Sequence, residues 1–330
     1  MSHAITQDGL RKLVAGWLAE GKRVFGPTEI KPGLSLYRQL HSADELQLGG
    51  WTRPANSIKE IVFPRHEALY GYRVKRDGIE LFDLAWEATE QIVIGAHPCD
   101  AAALPILDKV FNWDYKDEFY NRRRAAAIVI TFACASPDDE CFCTSVGLAP
   151  DSTRGSDAVL VERDGAYEVL CASEKAAALL GVRAVAAPQA EAAQPGPAKK
   201  FDPAQVAAFA RDHFEDPFWA RQSLACVGCG ACAYTCPVCH CFDIVDEGNP
   251  REGGRARNWD ACQFPMFTLH ASGHNPRRDQ AGRQRQRIYH KFFIYPEKFG
   301  DILCTGCGNC ARNCPEGLGV LPVVTEIPHG

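Results

Sequence analysis

The chain has 330 residues, of which 46% are hydrophobic and 23% charged, and its formal net charge is −5. A chain of this length is expected to form about two domains. Its acidic balance argues against a nucleic-acid binder, because phosphate binding draws on a basic surface. Residues 1–21 lack the apolar core of a signal peptide, and the longest apolar run, 125–135, is about half of what a bilayer requires. We therefore expect a cytoplasmic protein without a membrane or nucleic-acid partner.

Residues 1–183 have the pattern of a mixed α/β sheet domain. A helix is predicted over residues 6–20, because Leu10, Val14 and Trp17 fall on one face. Short strands are predicted at 23–25, 34–37, 61–63, 91–95 and 127–132, with a helix at 101–110. The last two strands are continuous apolar runs, which indicates burial on both faces. A hairpin around Asp164-Gly165 and a helix at 173–180 complete the domain.

A segment rich in alanine and proline, residues 184–201, is predicted to be a linker. Residues 202–330 follow as a mainly helical, ferredoxin-like dicluster domain. Its first helix is predicted over 202–214, with Asp202 as the N-cap and Pro203 in the first turn. The predicted fold class is therefore α+β.

Two copies of one cysteine pattern lie in this second domain, Cys-x2-Cys-x2-Cys-x3-Cys-Pro. The copies comprise Cys226, Cys229, Cys232 and Cys236, and Cys304, Cys307, Cys310 and Cys314. The pattern is typical of bacterial [4Fe–4S] proteins, in which the fourth cysteine of each run ligates the other cluster. We predict two clusters, held by Cys226, Cys229, Cys232 and Cys314, and by Cys304, Cys307, Cys310 and Cys236. Zinc sites also use Cys-x2-Cys pairs, but they do not require the third and fourth cysteines before proline.

A second group of cysteines follows the two apolar strands of the first domain. Cys99 follows the strand at 91–95, and Cys134, Cys141 and Cys143 follow the strand at 127–132. If these strands are parallel neighbours, the four thiols meet at the carboxyl edge of the sheet, where α/β folds place their sites. We predict a third [4Fe–4S] cluster there. A zinc site and a set of buried structural cysteines remain as alternatives.

The remaining cysteines have less distinctive surroundings. Cys239, Cys241 and Cys262 lie between the two ligand runs, where they are expected to be structural, to lie beside the cluster ligands or, with help from a residue such as His240, to be extra ligands. Cys171 is expected in the core. A basic stretch between the runs is either a solvated face or a source of compensating charge for anionic clusters, and it comprises Arg277, Arg278, Arg283, Arg285, Arg287, His290 and Lys291.

No organic active site is predicted, and we assign no catalytic residues. The chain lacks a strand-linked Gly-x-Gly-x-x-Gly, a phosphate loop, a Gly-x-Ser-x-Gly elbow and a His-Glu-x-x-His site. An electron carrier that needs partners is therefore favoured. An enzyme that uses Cys239, Cys241, Cys262 and nearby histidines, and a zinc-stabilised interaction scaffold, remain as alternatives.

Several motifs together resemble the beta subunit of cytoplasmic sulfhydrogenase-type [NiFe] hydrogenases and its relative, the electron-transfer subunit of anaerobic sulfite reductase. The motifs are His97-Pro-Cys-Asp100, the loop of Cys134, Cys141 and Cys143, Cys236-Pro-Val-Cys-His-Cys-Phe-Asp243, Trp259-Asp-Ala-Cys262, Gly273-His-Asn-Pro-Arg277 and Arg285-Gln-Arg-Ile-Tyr-His-Lys-Phe292. The long spacing between the cysteine runs also resembles the helical dicluster domains of fumarate reductase and heterodisulfide reductase subunits.

This resemblance implies an electron-transfer subunit. It would relay electrons between a diaphorase subunit that binds FAD and NAD(P) and a catalytic module. That module would be the small and large [NiFe] hydrogenase subunits, which we favour, or a sirohaem sulfite reductase subunit.

Overall fold

The computed structural model describes residues 4–48, 53–84, 89–186, 188–189 and 193–328. The strands are β1 (Ala4–Thr6), β2 (Arg23–Lys31), β3 (Leu34–Gln39), β4 (His66–Lys75), β5 (Gly78–Phe82), β6 (Gln91–Ala96), β7 (Ala127–Phe132), β8 (Ala158–Arg163), β9 (Ala166–Cys171), β10 (Phe242–Gly248) and β11 (Glu252–Trp259).

Helices alternate with these strands in the first half and dominate the second. They are α1 (Gln7–Ala19), α2 (Lys59–Val62), α3 (Pro98–Ala101), α4 (Ala103–Phe111), α5 (Glu118–Ala126), α6 (Glu174–Leu180), α7 (Pro203–Asp212), α8 (Phe218–Ser223), α9 (Ala231–Tyr234), α10 (Gln280–Tyr289), α11 (Tyr295–Phe299), α12 (Asn309–Arg312) and α13 (Val320–Thr325). A π-helical segment, His290–Ile294, joins α10 to α11.

A seven-stranded mixed sheet forms the centre of the first half, in the order β1-β9-β8-β7-β6-β2-β3. Strands β2, β6, β7 and β8 run parallel, while the outer pairings are antiparallel. Every residue of β6 and β7 is buried, because helices and loops cover both faces. These two strands are parallel neighbours, as the prediction of a shared carboxyl edge required.

The predicted strand at 61–63 is wrong, because this apolar triplet belongs to the short helix α2 and the residue after it. Ile58 and Val62, four residues apart, lie on one side of the turn and are 2% and 1% exposed. The Ser57 hydroxyl accepts a hydrogen bond from the Lys59 amide at 3.2 Å and supports the start of the turn. A run of three apolar residues is too short to separate a strand from a buried helical turn.

A second sheet, in the order β10-β11-β4-β5, was not predicted. Its strands come from both sides of the predicted linker, and β11 pairs with β4 in antiparallel register. The strand β5 has a weak signal, since Ile79 and Leu81 are 67% and 64% exposed. Arg257 of β11 forms an ion pair with buried Glu67 of β4, so polar contacts help to join the two halves.

The cysteine-rich region packs its helices around an aromatic and aliphatic core. Helix α7 begins with Asp202 as the N-cap and Pro203 in its first turn, as predicted. The core includes Phe218, Trp219 and Phe292, and Phe142 from the first half joins it. The chain is thus an α+β protein with a mixed sheet followed by a helix-rich cysteine region. Within the part of the chain that is described, no helix has both the length and the apolar character needed to cross a bilayer.

Candidate metal centres

The two ligand runs fold into nearly identical turns. Gly230 and Gly308 have φ angles of +75° and +76°, and each immediately precedes a four-residue helix, α9 or α12. These positive angles strain any residue with a Cβ atom, so the glycines let the chain curl back over its cysteines. Helices α9 and α12 contact each other, which brings the two runs side by side.

The fourth cysteine of the first run lies among cysteines of the second run. Burial raises the pKa of Cys304 to about 12, the Lys291 cation opposes this shift, and the nearby Cys236 adds to it. Burial also raises the pKa of Cys307, with further contributions from Cys99, Asp100 and Cys236. The crossing of Cys236 to the second run, expected from the sequence pattern, is therefore present in the fold.

Backbone amides point at two further sulfur atoms. The Val320 amide donates to Cys310 Sγ at 3.2 Å, and the Leu318 amide donates to Cys314 Sγ at 3.3 Å. Such hydrogen bonds favour the thiolate form of a cysteine over its thiol, as a cluster ligand requires. In the first run, burial raises the pKa of Cys232 to about 11, and its neighbours include Arg287, Cys262, Cys310 and Cys226.

Two cations of the basic stretch point into this region rather than to solvent. Lys291, in the π-helical segment, is 2% exposed, and its Nζ donates to Cys236 Sγ at 3.4 Å and to Cys239 Sγ at 3.7 Å. Arg287 is 3% exposed and donates through Nη1 to the Leu318 carbonyl at 3.2 Å. The solvated-face interpretation fails for these two residues.

The other nitrogens of Arg287 provide a test of whether clusters fit here. Among the described residues, buried Nε and Nη2 of Arg287 have no hydrogen-bond partner. Burial lowers the pKa of Arg287, but the thiolates of Cys232, Cys310, Cys239 and Cys262 outweigh burial and hold it above its usual value. Unmade hydrogen bonds of a buried cation are unfavourable, and the sulfur atoms of a cluster would accept them. The residues therefore fit anionic clusters.

The N-terminal cysteines also meet in one place. Cys99, Cys134, Cys141 and Cys143 line a single enclosed cavity, together with Arg53, Gly306 and Cys307. The guanidinium of Arg53 donates to Cys99 Sγ at 3.3 Å, to Cys134 Sγ at 3.6 Å and to Cys141 Sγ at 3.4 Å. The carboxyl ends of β6 and β7 position these thiols, as the sequence pattern predicted.

Arg312 and Asp138 fasten this site to the second ligand run. Arg312, in α12, donates to both carboxylate oxygens of Asp138 at 2.6 and 2.7 Å and to Cys141 Sγ at 3.3 Å. The Phe142 amide donates to the Gly306 carbonyl at 2.9 Å. A Cβ atom at Gly306 would lie 2.5 Å from the Cys143 backbone, so only glycine fits this contact. The N-terminal thiols thus lie directly against the second cysteine run.

The unassigned cysteines form two contacting pairs. A hydrogen bond from Cys239 lowers the pKa of Cys236 and raises that of Cys239. A hydrogen bond between Cys241 and Cys262 raises the pKa of Cys241 and lowers that of Cys262 to about 6. Cys171 lies in the sheet core at 2% exposure, as predicted.

The histidines near these pairs are neutral at neutral pH. Burial lowers the pKa of His240 to about 4 and that of His290 to about 3, and their ring centroids are 5.6 Å apart. Within the described residues, no three His, Cys, Asp or Glu side chains are arranged to hold a single metal ion. A four-iron cluster is larger than one ion, so its ligands are spaced more widely.

The sequence prediction missed three basic residues near the sulfur atoms. Arg53 and Arg312 contact the N-terminal thiols, and buried Lys59 donates to the carbonyls of Ala233 and Cys239 at 3.1 and 2.9 Å. Lys59 also lies over the Trp259 ring at 4.1 Å. No local pattern marks Arg53 or Lys59. The position of Arg312 between Cys310 and Cys314 is the one signal that could have identified it.

Comparison with known proteins agrees with these features. Residues 225–318 match the family model of the 4Fe-4S dicluster domain, which indicates two [4Fe–4S] clusters. The chain is 29% identical over 330 residues to sulfhydrogenase 2 subunit beta of Pyrococcus furiosus, covering 95% of this chain and 94% of that protein. No solved structure matches the chain. The chain is therefore an iron–sulfur electron-transfer protein and a homologue of this sulfhydrogenase beta subunit.

Proposed function

We propose that the chain carries three [4Fe–4S] clusters and relays electrons between a diaphorase subunit, which binds FAD and NAD(P), and a [NiFe] hydrogenase module. The proposed ligand sets are Cys226, Cys229, Cys232 and Cys314 for the first cluster, Cys304, Cys307, Cys310 and Cys236 for the second, and Cys99, Cys134, Cys141 and Cys143 for the third. The hydrogenase module is proposed from the name of the relative, a sulfhydrogenase beta subunit.

The observation that carries this proposal is the junction at Gly306 and Cys307. This turn lines the cavity of the four N-terminal thiols, while Cys307 belongs to the second ligand run. Backbone contact at Gly306 leaves no room for an insulating layer of side chains between the two cysteine groups. Three clusters held in this way would form one continuous path through the protein.

Iron content and spectroscopy test the number of clusters. The anaerobically purified chain should contain about twelve irons, four for each cubane. Reduction should produce electron paramagnetic resonance signals from three reduced cubanes. A preparation that holds zinc and gives no such signal would overturn the proposal in favour of the zinc-stabilised scaffold.

A reconstitution experiment tests the partners. The purified chain alone should not turn over hydrogen or a pyridine nucleotide. Addition of the diaphorase and [NiFe] subunits from the same source should restore hydrogen-dependent NAD(P)⁺ reduction, and omission of this chain should abolish it. Steady turnover of a substrate by the chain alone would instead favour the enzyme alternative.

The anaerobic sulfite reductase type is the second candidate for the catalytic module. The sequence motifs resemble both families, and a sirohaem subunit would then replace the hydrogenase subunits. In the same reconstitution, restoration of sulfite reduction by a sirohaem subunit, without restoration of hydrogen oxidation, would identify this type.

A further inference from the structure

Two cysteines outside the proposed ligand sets contact each other at the end of a β-hairpin. The pairing of Phe242 with Trp259 brings the start of β10 beside the end of β11. The Asp260 amide donates to the Cys241 carbonyl at 3.0 Å, which fixes the backbone just outside the hairpin. Two residues later, both the amide and the thiol of Cys262 contact the sulfur of Cys241.

This thiol pair is accessible, unlike the second pair of contacting cysteines. Cys241 and Cys262 are both partly exposed, whereas Cys236 is 7% exposed. Lys291 also donates to both Cys236 and Cys239, and Cys236 belongs to a proposed ligand set. A small thiol reagent can therefore reach the pair of Cys241 and Cys262, while the pair of Cys236 and Cys239 is enclosed.

A short chain of amide contacts connects the accessible pair to the first ligand run. Gln263 Nε2 donates to Cys262 Sγ at 3.7 Å, and its Oε1 accepts from Gln280 Nε2 at 2.7 Å. Gln280 Nε2 also donates to Cys226 Sγ at 3.1 Å. The side chain of Gln263 is 1% exposed and is held further by a 3.1 Å hydrogen bond to the Arg283 carbonyl. The position of Cys262 is thus set by buried polar groups.

We propose that Cys241 and Cys262 form a dithiol–disulfide site that reacts with small-molecule disulfides. The thiolate of Cys262 attacks one sulfur of the external disulfide, which breaks that S–S bond and releases one thiolate. Cys241 loses its proton to this thiolate and attacks the Cys262 sulfur, which forms the Cys241–Cys262 bond and releases the second thiol. Two cysteine thiols are oxidised, and one disulfide is reduced to two thiols.

This site goes beyond the proposed electron relay and does not depend on the identity of the catalytic module. Since the two cysteines are not cluster ligands in the proposal, their oxidation should leave the iron in place. The site would add a two-electron centre beside a group of one-electron clusters.

Peptide mapping of the wild-type chain tests the proposal directly. The anaerobically purified holoprotein is treated with increasing oxidised glutathione, free thiols are alkylated, and the peptides are identified by mass spectrometry. We expect a Cys241–Cys262 linked peptide that increases with oxidised glutathione, disappears after treatment with reduced glutathione, and forms without loss of iron. Absence of this peptide up to millimolar oxidised glutathione, with the iron intact, would overturn the proposal.

Variants separate this site from a metal site. In Cys241→Ser, a mixed disulfide with glutathione should accumulate on Cys262, since the resolving thiol is lost. In Cys262→Ser the linked peptide should be lost, and Cys171→Ser, at a buried single cysteine, should leave it unchanged. Both site variants should retain the full iron content and the wild-type Tm. Loss of about four irons from either would make the residue a cluster ligand and refute the proposal. If a serine variant fails to fold, the wild-type mapping decides.

Discussion

The two cysteine regions of this protein are built in different ways. The dicluster region takes its proposed ligands from two local runs, in which glycines at the same positions turn the chain over the cysteines. The N-terminal site takes its thiols from the ends of β6 and β7 and from the loop that follows. Its cation, Arg53, comes from a separate loop, and its wall includes Gly306 from the dicluster region.

This difference indicates how each site depends on the rest of the fold. A run of cysteines in a tight turn needs few distant residues to hold its shape. The N-terminal site forms only when the parallel sheet is complete and the second cysteine run packs against it. We therefore expect changes at the junction to damage both regions, and changes within the N-terminal site to leave the dicluster region filled.

The largest effect is expected for Gly306→Ala at the junction. Its Cβ would meet the Cys143 backbone at 2.5 Å, and the φ angle of +65° adds strain. We expect a loss of more than about 2 kcal/mol in the free energy of unfolding, together with loss of iron from the second and third sites. Gly317→Ala is the matched control, because it has a φ of +66° with no neighbour within 4 Å. Equal Tm and iron values for the two variants would contradict the packing argument.

Removal of one N-terminal thiol tests the independence of the two regions. Cys141→Ala should remove about four of roughly twelve irons and leave the signals of the dicluster region intact. Cys171→Ala, which also deletes a buried thiol, should lose no iron because Cys171 lies in the sheet core. Iron analysis with electron paramagnetic resonance measures both outcomes. Full iron content in Cys141→Ala would remove this residue from the ligand set.

A smaller effect is expected when a buried cation of the dicluster region is neutralised. Lys291→Gln removes the positive charge within 3.4 Å of Cys236 Sγ, so addition of an electron becomes less favourable. The midpoint potential of the second cluster should fall by on the order of 50 mV, about 1 kcal/mol for a one-electron couple. Exposed Lys298→Gln, one helix later, is the control and should leave the potential unchanged. A redox titration followed by electron paramagnetic resonance would detect the shift, and an equal shift in both variants would exclude a local effect.

The smallest effect is expected for Arg53→Gln at the N-terminal site. Arg53 contacts three of the four thiols, but Arg312 also donates to Cys141 and would remain as a compensating charge. We expect the third potential to fall by on the order of 20 mV, with the two dicluster potentials unchanged. A redox titration of the three signals measures this, and if all three potentials move together, Arg53 acts on the fold and not on one site.

Much of the fold was predictable where a local pattern carried the information. The continuous apolar runs of β6 and β7 predicted buried parallel strands, and Asp202 with Pro203 predicted the start of α7. The triplet at 61–63 was too short for its period to be read, and it forms part of a helical turn. The second sheet was missed because its strands are mostly exposed and pair across the predicted linker.

The order of amino acids alone was enough to predict the cysteine spacing, the glycine turns and the two strands that carry the N-terminal thiols. These features depend on neighbours in the chain, so local geometry specifies them. Three-dimensional packing selected which cations face the sulfur atoms and which thiols pair, and it placed Gly306 between the two cysteine groups. Those contacts join residues far apart in the chain, and close packing of the whole fold chooses their partners, which no local pattern records.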